Sequence, residues 1–302
     1  MEQTKMTRGY DMTAAVASAH APTAAQAVAR PVAAGGRTSI VDWTHQALSA
    51  AATSWFVVAV LGQLMIVVYI VGFYGLAAAR GRFETWNKVL PHGYVAGDTA
   101  GNLVLSVHLA FAAFITVGGA VQLTTGVRRL FPTFHRWNGR VYLLLAFAMS
   151  LGGLVMVWTR GTVGDLSQHI AISINGVLIM ICAGMTVHHA LARRFAVHRR
   201  WALRLFLVVS GVWFFRIGLM LWIVLNQGPV GFDPKTFSGP FLSFLAFAQY
   251  LLPLAVLELY FRAQGSHAPR VRLLVAAGLF SCVLMTAAGS AAATMIMWLP
   301  RL

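Results

Sequence analysis

Seven apolar stretches, each about as long as a helix must be to cross the roughly 30 Å hydrocarbon core of a bilayer, decide what this chain can fold into. They cover residues 54–79, 102–126, 134–159, 168–191, 198–226, 241–262 and 271–299. Hydrocarbon offers backbone N–H and C=O groups no partner, so only helices and closed barrels span it. The stretches lack the two-residue alternation of a barrel strand. The expected fold is therefore all-α: a polytopic membrane helical bundle of about seven transmembrane helices. A composition that is 58% hydrophobic and 10% charged agrees, being far too apolar for a soluble domain. Pro132 is placed to start the third span and Pro253 to kink the sixth.

The domain reading is a flexible cytoplasmic tail over 1–50 and a transmembrane domain over 51–302, with a core four-helix bundle at about 100–227. The tail has no compact apolar core behind a short basic start, which argues against a cleaved signal peptide. Its last part, "TSIVDWTHQALSAA", reads either as an interfacial helix with Trp43 at the headgroups or as a disordered lead-in.

Basic residues orient the bundle. Sixteen Lys and Arg fall on the tail and on the loops after spans two, four and six, six fall on the opposite side, and Arg216 lies inside span five. Because cations are retained on the cytoplasmic side, the amino terminus is expected inside and the carboxyl terminus outside. The net charge of +15 then reports topology and contact with anionic lipid, and gives no reason to invoke nucleic acid. Cys182 and Cys282 stand alone, without CxxC, zinc spacing or CxxCH, so any haem is held non-covalently. HExxH, GxSxG and a P-loop are absent and the few carboxylates form no acid/base pair, which sets aside proteolysis and phosphoryl transfer.

The histidines carry the chemistry. His108 starts span two and His169 starts span four on the outer face; His135 starts span three and His198 starts span five on the inner face. The offsets are 61 and 63 residues, and "RRLFPTFHRW" and "RRFAVHRRW" repeat around the inner pair. Such a duplicated helix pair forms a four-helix bundle, an architecture that holds cofactors between facing helices. Two imidazoles facing a macrocycle need small neighbours. By helical phase Gly119 and Gly126 share the face of His108, Ala146 and Gly153 that of His135, and Gly176 that of His169, whereas Gly211 is far from the His198 line and only Ala202 is close. The plain alternative is that small residues let membrane helices pack tightly. His188 and His189 close span four at a similar depth and are alternatives to His198. His20, His45, His92 and His267 have no paired counterpart.

Arg216, eighteen residues after His198, is expected on the same helical face and in need of an anion. A haem propionate, Asp165 or Asp233 would serve. Glu258 is expected to pair locally with Arg262. Arg136, Arg140 and Arg199 belong to an inner cluster suited to propionates or an acidic donor. Gln122, Asn175 and Ser150 are the polar groups within spans suited to support ligands.

The segments "HLAFAAFITVGGAVQ", "HRWNGRVY", "VHRRWALR" and "FRIGL", over about residues 100–220, resemble an uncharacterised bacterial predicted-membrane-protein family, a domain of unknown function. That resemblance implies a bacterial inner membrane location and names no activity. Four histidines alternating between faces on consecutive spans are also similar, more loosely, to the di-haem transmembrane cytochrome b superfamily of the ascorbate-dependent ferric-reductase type. This implies two haem b groups, one iron ligated by His108 and His169 and the other by His135 and His198, and single-electron transfer across the membrane. A quinone or redox subunit would be the partner, and the protein an electron-transfer oxidoreductase or a subunit of one. The competing expectation is a haem-free structural or assembly subunit or a small transporter. Transport has less support, since the sequence shows no broken helices in inverted repeats and no paired carboxylates within spans.

The charge count makes a direct prediction. Alkaline phosphatase fused after Leu302 should be active in a bacterial host and inactive when fused after Arg194; the opposite pattern would reverse the topology.

Overall fold

The structure, a computed structural model, describes residues 40–90, 93–159 and 164–302. The tail to residue 39, with His20, and also His92 and Arg160, lie outside the described residues. Long helices are α1 (Ile40–Tyr69), α2 (Thr99–Leu123), α4 (Pro132–Thr159), α5 (Leu166–Leu191), α8 (Pro240–Gly265) and α9 (Pro269–Ala292); α3 (Thr125–Leu130), α6 (Phe195–Val209) and α7 (Gly211–Leu225) are shorter. Among the described residues no strand forms, only an isolated bridge between Asp233 and Ser238. Six helices are long and apolar enough to cross a membrane, and α6 with α7 makes a seventh span bent by 52°. The chain is a multi-pass membrane protein.

Two boundaries depart from the sequence reading. The proposed interfacial segment is continuous with span one, because α1 begins at Ile40; "ALSAAA" carries no breaker, so the helix runs on. Span two stops at Leu123, where Thr124 is extended and its hydroxyl returns to the Ala120 carbonyl. Gly126 consequently sits on α3, not on the His108 helix, and its expected alignment with His108 fails.

Local chemistry sets the ends. Asp98 accepts from the Gly101 amide at 2.9 Å and Asp165 from the Gln168 amide at 3.1 Å, each capping a helix start. Hydrogen bonds from Ser167 and from backbone amides hold the Asp165 carboxyl below the usual carboxylate range. Pro132, Pro240 and Pro269 each open a helix, where their missing N–H costs nothing. α5 ends with Arg193 in the left-handed region (φ 54°) and the Arg194 amide bonded back to the His189 carbonyl at 2.9 Å. This tight return tucks α6 under the end of α5.

Successive packing of α1 on α2, α2 on α4, α4 on α5, α5 on α8, α8 on α9 and α9 on α1 closes a ring. The broken span lies within it, α6 against α5 and α8, and α7 against α8 and α9. Leu205, Phe206, Leu207 and Val208 are accordingly among the most buried residues. The bend comes at Ser210, whose ψ of 1° leaves the helical range next to Gly211. Its hydroxyl donates to the Phe206 carbonyl at 2.7 Å and accepts from Gln63 Nε2 at 2.8 Å, while Asn175 Nδ2 donates to the Val208 carbonyl at 3.2 Å. Two polar side chains, Ser210 and Asn175, thus serve backbone carbonyls at the break, and Gln63 bonds the Ser210 hydroxyl.

Glu258 pairs with Arg204 of α6 at 2.6 Å, not with Arg262 as expected. The pair ties α8 to the broken span, and Arg204 also lies 4.7 Å over the Trp201 ring. At the other end of the bundle, a π-helical turn over Ile70–Gly75 carries Tyr69, Phe73 and Tyr74 into one aromatic cluster with Trp86 and Trp298.

Gly289 fixes the approach of α9 to α7, since a Cβ there would stand 2.8 Å from the Ile217 carbonyl oxygen, an atom that cannot swing away. Gly289→Ala should destabilise the protein by about 1–3 kcal/mol, read as a lowered midpoint in thermal unfolding of detergent-solubilised protein. An unchanged midpoint would mean that the helices can part freely.

Candidate functional site

The repeat seen in the sequence places the inner histidines at equivalent positions. His135 is the fourth residue of α4 and His198 the fourth of α6. Each reaches back to the preceding long helix. His198 Nδ1 lies 2.9 Å from the Thr186 carbonyl of α5. A carbonyl only accepts, so Nδ1 carries the proton and Nε2 keeps its lone pair.

The tautomer of His135 follows from a chain of bonds. Asn138 Nδ2 donates to the Gly118 carbonyl at 3.0 Å and to Gln122 Oε1 at 2.9 Å, which turns the Gln122 amide nitrogen toward His135 Nε2 at 3.3 Å. Nε2 therefore accepts, and the proton sits on Nδ1, which is buried without a hydrogen-bond partner. The Tyr142 hydroxyl, seven residues on and on the same face, is likewise buried and unpartnered.

Both imidazoles line one cavity of about 1520 Å³, larger than the roughly 300–1,000 Å³ of ordinary ligand sites. His135 lies within electrostatic range of His198. Arg128, Arg136, Arg140 and Arg199 line the same cavity, and no Asp or Glu does. Gly119 and Ala202 belong to its wall. A Cβ at Gly119 would stand 3.0 Å from the Tyr142 ring and 3.2 Å from that of Phe206, so glycine lets α2 approach both.

The outer histidines are placed differently. His108 lies within electrostatic range of Arg216, which in turn neighbours Tyr69 and Tyr74. The His169 ring stands edge-on to Trp158, centroids 6.2 Å apart. Their helices, α2 and α5, do not pack directly on each other, α4 lying between them; the inner pair's helices, α4 and α6, are likewise separated by α5. Neither histidine lines the cavity. Arg216 does not continue the His198 line, because the bend at Ser210 interrupts the helix. Its guanidinium reaches the Val212 carbonyl at 3.4 Å, while Asp165 bonds Ser167, Ser243 and the Gln168 amide.

Gly176 packs on Leu154, whereas Gly126 and Gly153 face open space. Ser150 bonds only the Ala146 carbonyl one turn back. His188 is exposed and His189 buried, their rings 5.0 Å apart, and neither lines the cavity. Among the described residues, no three of His, Cys, Asp and Glu converge as a metal cage. Sequence reading missed Tyr142, Asn138 and Thr186. The seven- and three-residue offsets of Tyr142 and Asn138 from His135 were the available signal.

Residues 105–252 match the model of a family described as "Predicted membrane protein (DUF2306)". The resemblance seen over about 100–220 holds and extends to α8. No curated protein and no solved structure matches the chain.

Proposed function

We propose that this membrane protein is a b-type electron carrier whose haem sits in the inner cavity between His135 and His198. The observation that carries the reading is that imidazoles from two different helices, at equivalent positions of a repeat, border one cavity of about 1520 Å³. The residues present fit the group. His198 is held by Nδ1 on a carbonyl and keeps Nε2 for a ligand, the arrangement usual for metal-bound histidine. Arg128, Arg136, Arg140 and Arg199 are cations suited to propionates. A haem held by two imidazoles supplies a one-electron couple with no position open to substrate.

The chain's own contribution is binding and orientation. Thr186 fixes the His198 ring through its carbonyl. Gln122 occupies His135 Nε2 and must yield it when a metal takes that nitrogen. Most of the cavity wall is apolar, and the arginines would balance the carboxylates of a bound haem. The reading commits to the inner centre, because the outer pair, His108 and His169, faces Arg216 and Trp158 respectively. A second haem on that pair, the two-haem form of the reading, calls for movement of both side chains.

A reduced-minus-oxidised visible spectrum of detergent-solubilised protein from haem-replete cells should show a b-type signal. His198→Ala should abolish it, and His108→Ala should leave it intact. A colourless wild-type preparation rejects the reading.

A further inference from the structure

The cavity extends well past the histidines. Its remaining wall comes from α1, α8 and α9, through Trp55, Pro253, Leu279 and Cys282 among others. α1, α9 and all of α8 beyond residue 252 lie outside the family match. Along this wall, Leu252 of α8 and Met285 of α9 line the cavity yet remain 56% and 61% exposed. α8 and α9 meet near their shared loop, where Val256 and Tyr260 pack with Ala276 and Leu279. Higher up, the cavity communicates sideways with the place that lipid tails occupy.

Its polar end has one sign. Arg199 and Tyr260 border the cavity together and lie within electrostatic range. Gln264 Nε2 donates to the Tyr260 oxygen at 2.8 Å, so the phenolic O–H remains to donate elsewhere. Ser49 and Thr53 add hydroxyls from α1. Glu258 of α8 is taken by Arg204 at 2.6 Å and does not line the cavity. A cavity with guanidinium and hydroxyl donors at the inner end, no carboxylate, and an apolar depth opening to the bilayer selects an anionic head on a hydrocarbon tail.

We propose that this part of the cavity binds a membrane phospholipid of net negative charge, entering between α8 and α9, with its phosphate head on Arg199 and Tyr260 and its tail against α1, α8 and α9. The proposal goes beyond the haem reading and does not require it: the two share Arg199, but Tyr260 and Met285 belong to the lipid site alone. The same phosphate chemistry is offered by free phosphate, so the test separates the two sources.

Thermal unfolding is measured on the full chain in a neutral detergent, with dioleoyl phosphatidylglycerol, dioleoyl phosphatidylcholine or inorganic phosphate added. Saturating phosphatidylglycerol should raise the midpoint by roughly 5 °C, with no rise from phosphatidylcholine or phosphate. Arg199→Gln and Tyr260→Phe should each at least halve the shift. Met285→Trp, at an exposed position, should fill the opening and remove the shift while leaving the lipid-free midpoint and the helical circular dichroism as in Met285→Leu. No shift with phosphatidylglycerol, an equal shift with phosphatidylcholine, a shift with phosphate alone, or a shift untouched by these variants overturns the proposal. Whether the preparation carries haem is read separately by its visible spectrum, so either reading can fail alone.

Discussion

Hydrocarbon gives a polar group no second choice of partner, and the break at Ser210 is where this constraint shapes the molecule. Bending the fifth span by 52° frees backbone groups that must be answered from within. Asn175 of α5 and Ser210 itself supply the answer, and Gln63 of α1 bonds the Ser210 hydroxyl. A Cβ at Gly211 would stand 3.0 Å from Asn175 Nδ2, so glycine there is what lets Asn175 reach in. Because the span is bent inside a ring of six straighter helices, its two halves lean on different neighbours. The cavity lies along the residues of both halves, Ala202 and Phe206 on α6, Phe214 and Leu221 on α7.

Much of this was legible in the sequence, and the legible part follows from physics that acts locally. Length and apolarity alone gave all seven spans, since each must satisfy its own backbone within the bilayer. Pro132 at the start of α4 and the paired "RR…H" segments placed His135 and His198 at matching depth. The break was not legible, because Ser-Gly in an apolar run is as compatible with a continuous helix as with a bend, and only Gln63 and Asn175 arriving from elsewhere decide between them. The Glu258 partner was misjudged for a related reason. A four-residue spacing to Arg262 predicts a pair on one helix, but a bidentate-capable arginine on the facing helix presents a fixed fork at closer range. The sequence argument against transport also assumed unbroken spans; one broken span removes that assumption, although the paired acidic residues of an ion-coupled carrier are still lacking among the described spans.

Charge is distributed with equal economy. The bundle has eight acidic residues in the whole chain, and those whose contacts are described are already engaged: Asp98 and Asp165 in caps, Glu258 with Arg204, Asp233 with the Lys235 amide. Among the described residues, no carboxylate lines the cavity beside its arginines. Arg128, Arg136, Arg140 and Arg199 are all exposed, so solvent screens them and charge alone gives the inner end of the cavity a modest preference for an anion. The apolar depth then selects for a tail or a macrocycle over a free ion.

The two inner histidines show how a duplicated element diverges. Both stand at the fourth position of a helix and both reach back to the helix before, yet His198 spends its Nδ1 proton on a carbonyl while His135 accepts at Nε2 from an amide held by Asn138. One ring keeps a lone pair for a ligand; the other keeps a buried N–H without a partner. A symmetric site would present the same nitrogen twice. This one differs between its halves: the His198 lone pair is left uncommitted, whereas the His135 Nδ1–H is buried and its Nε2 is taken by Gln122.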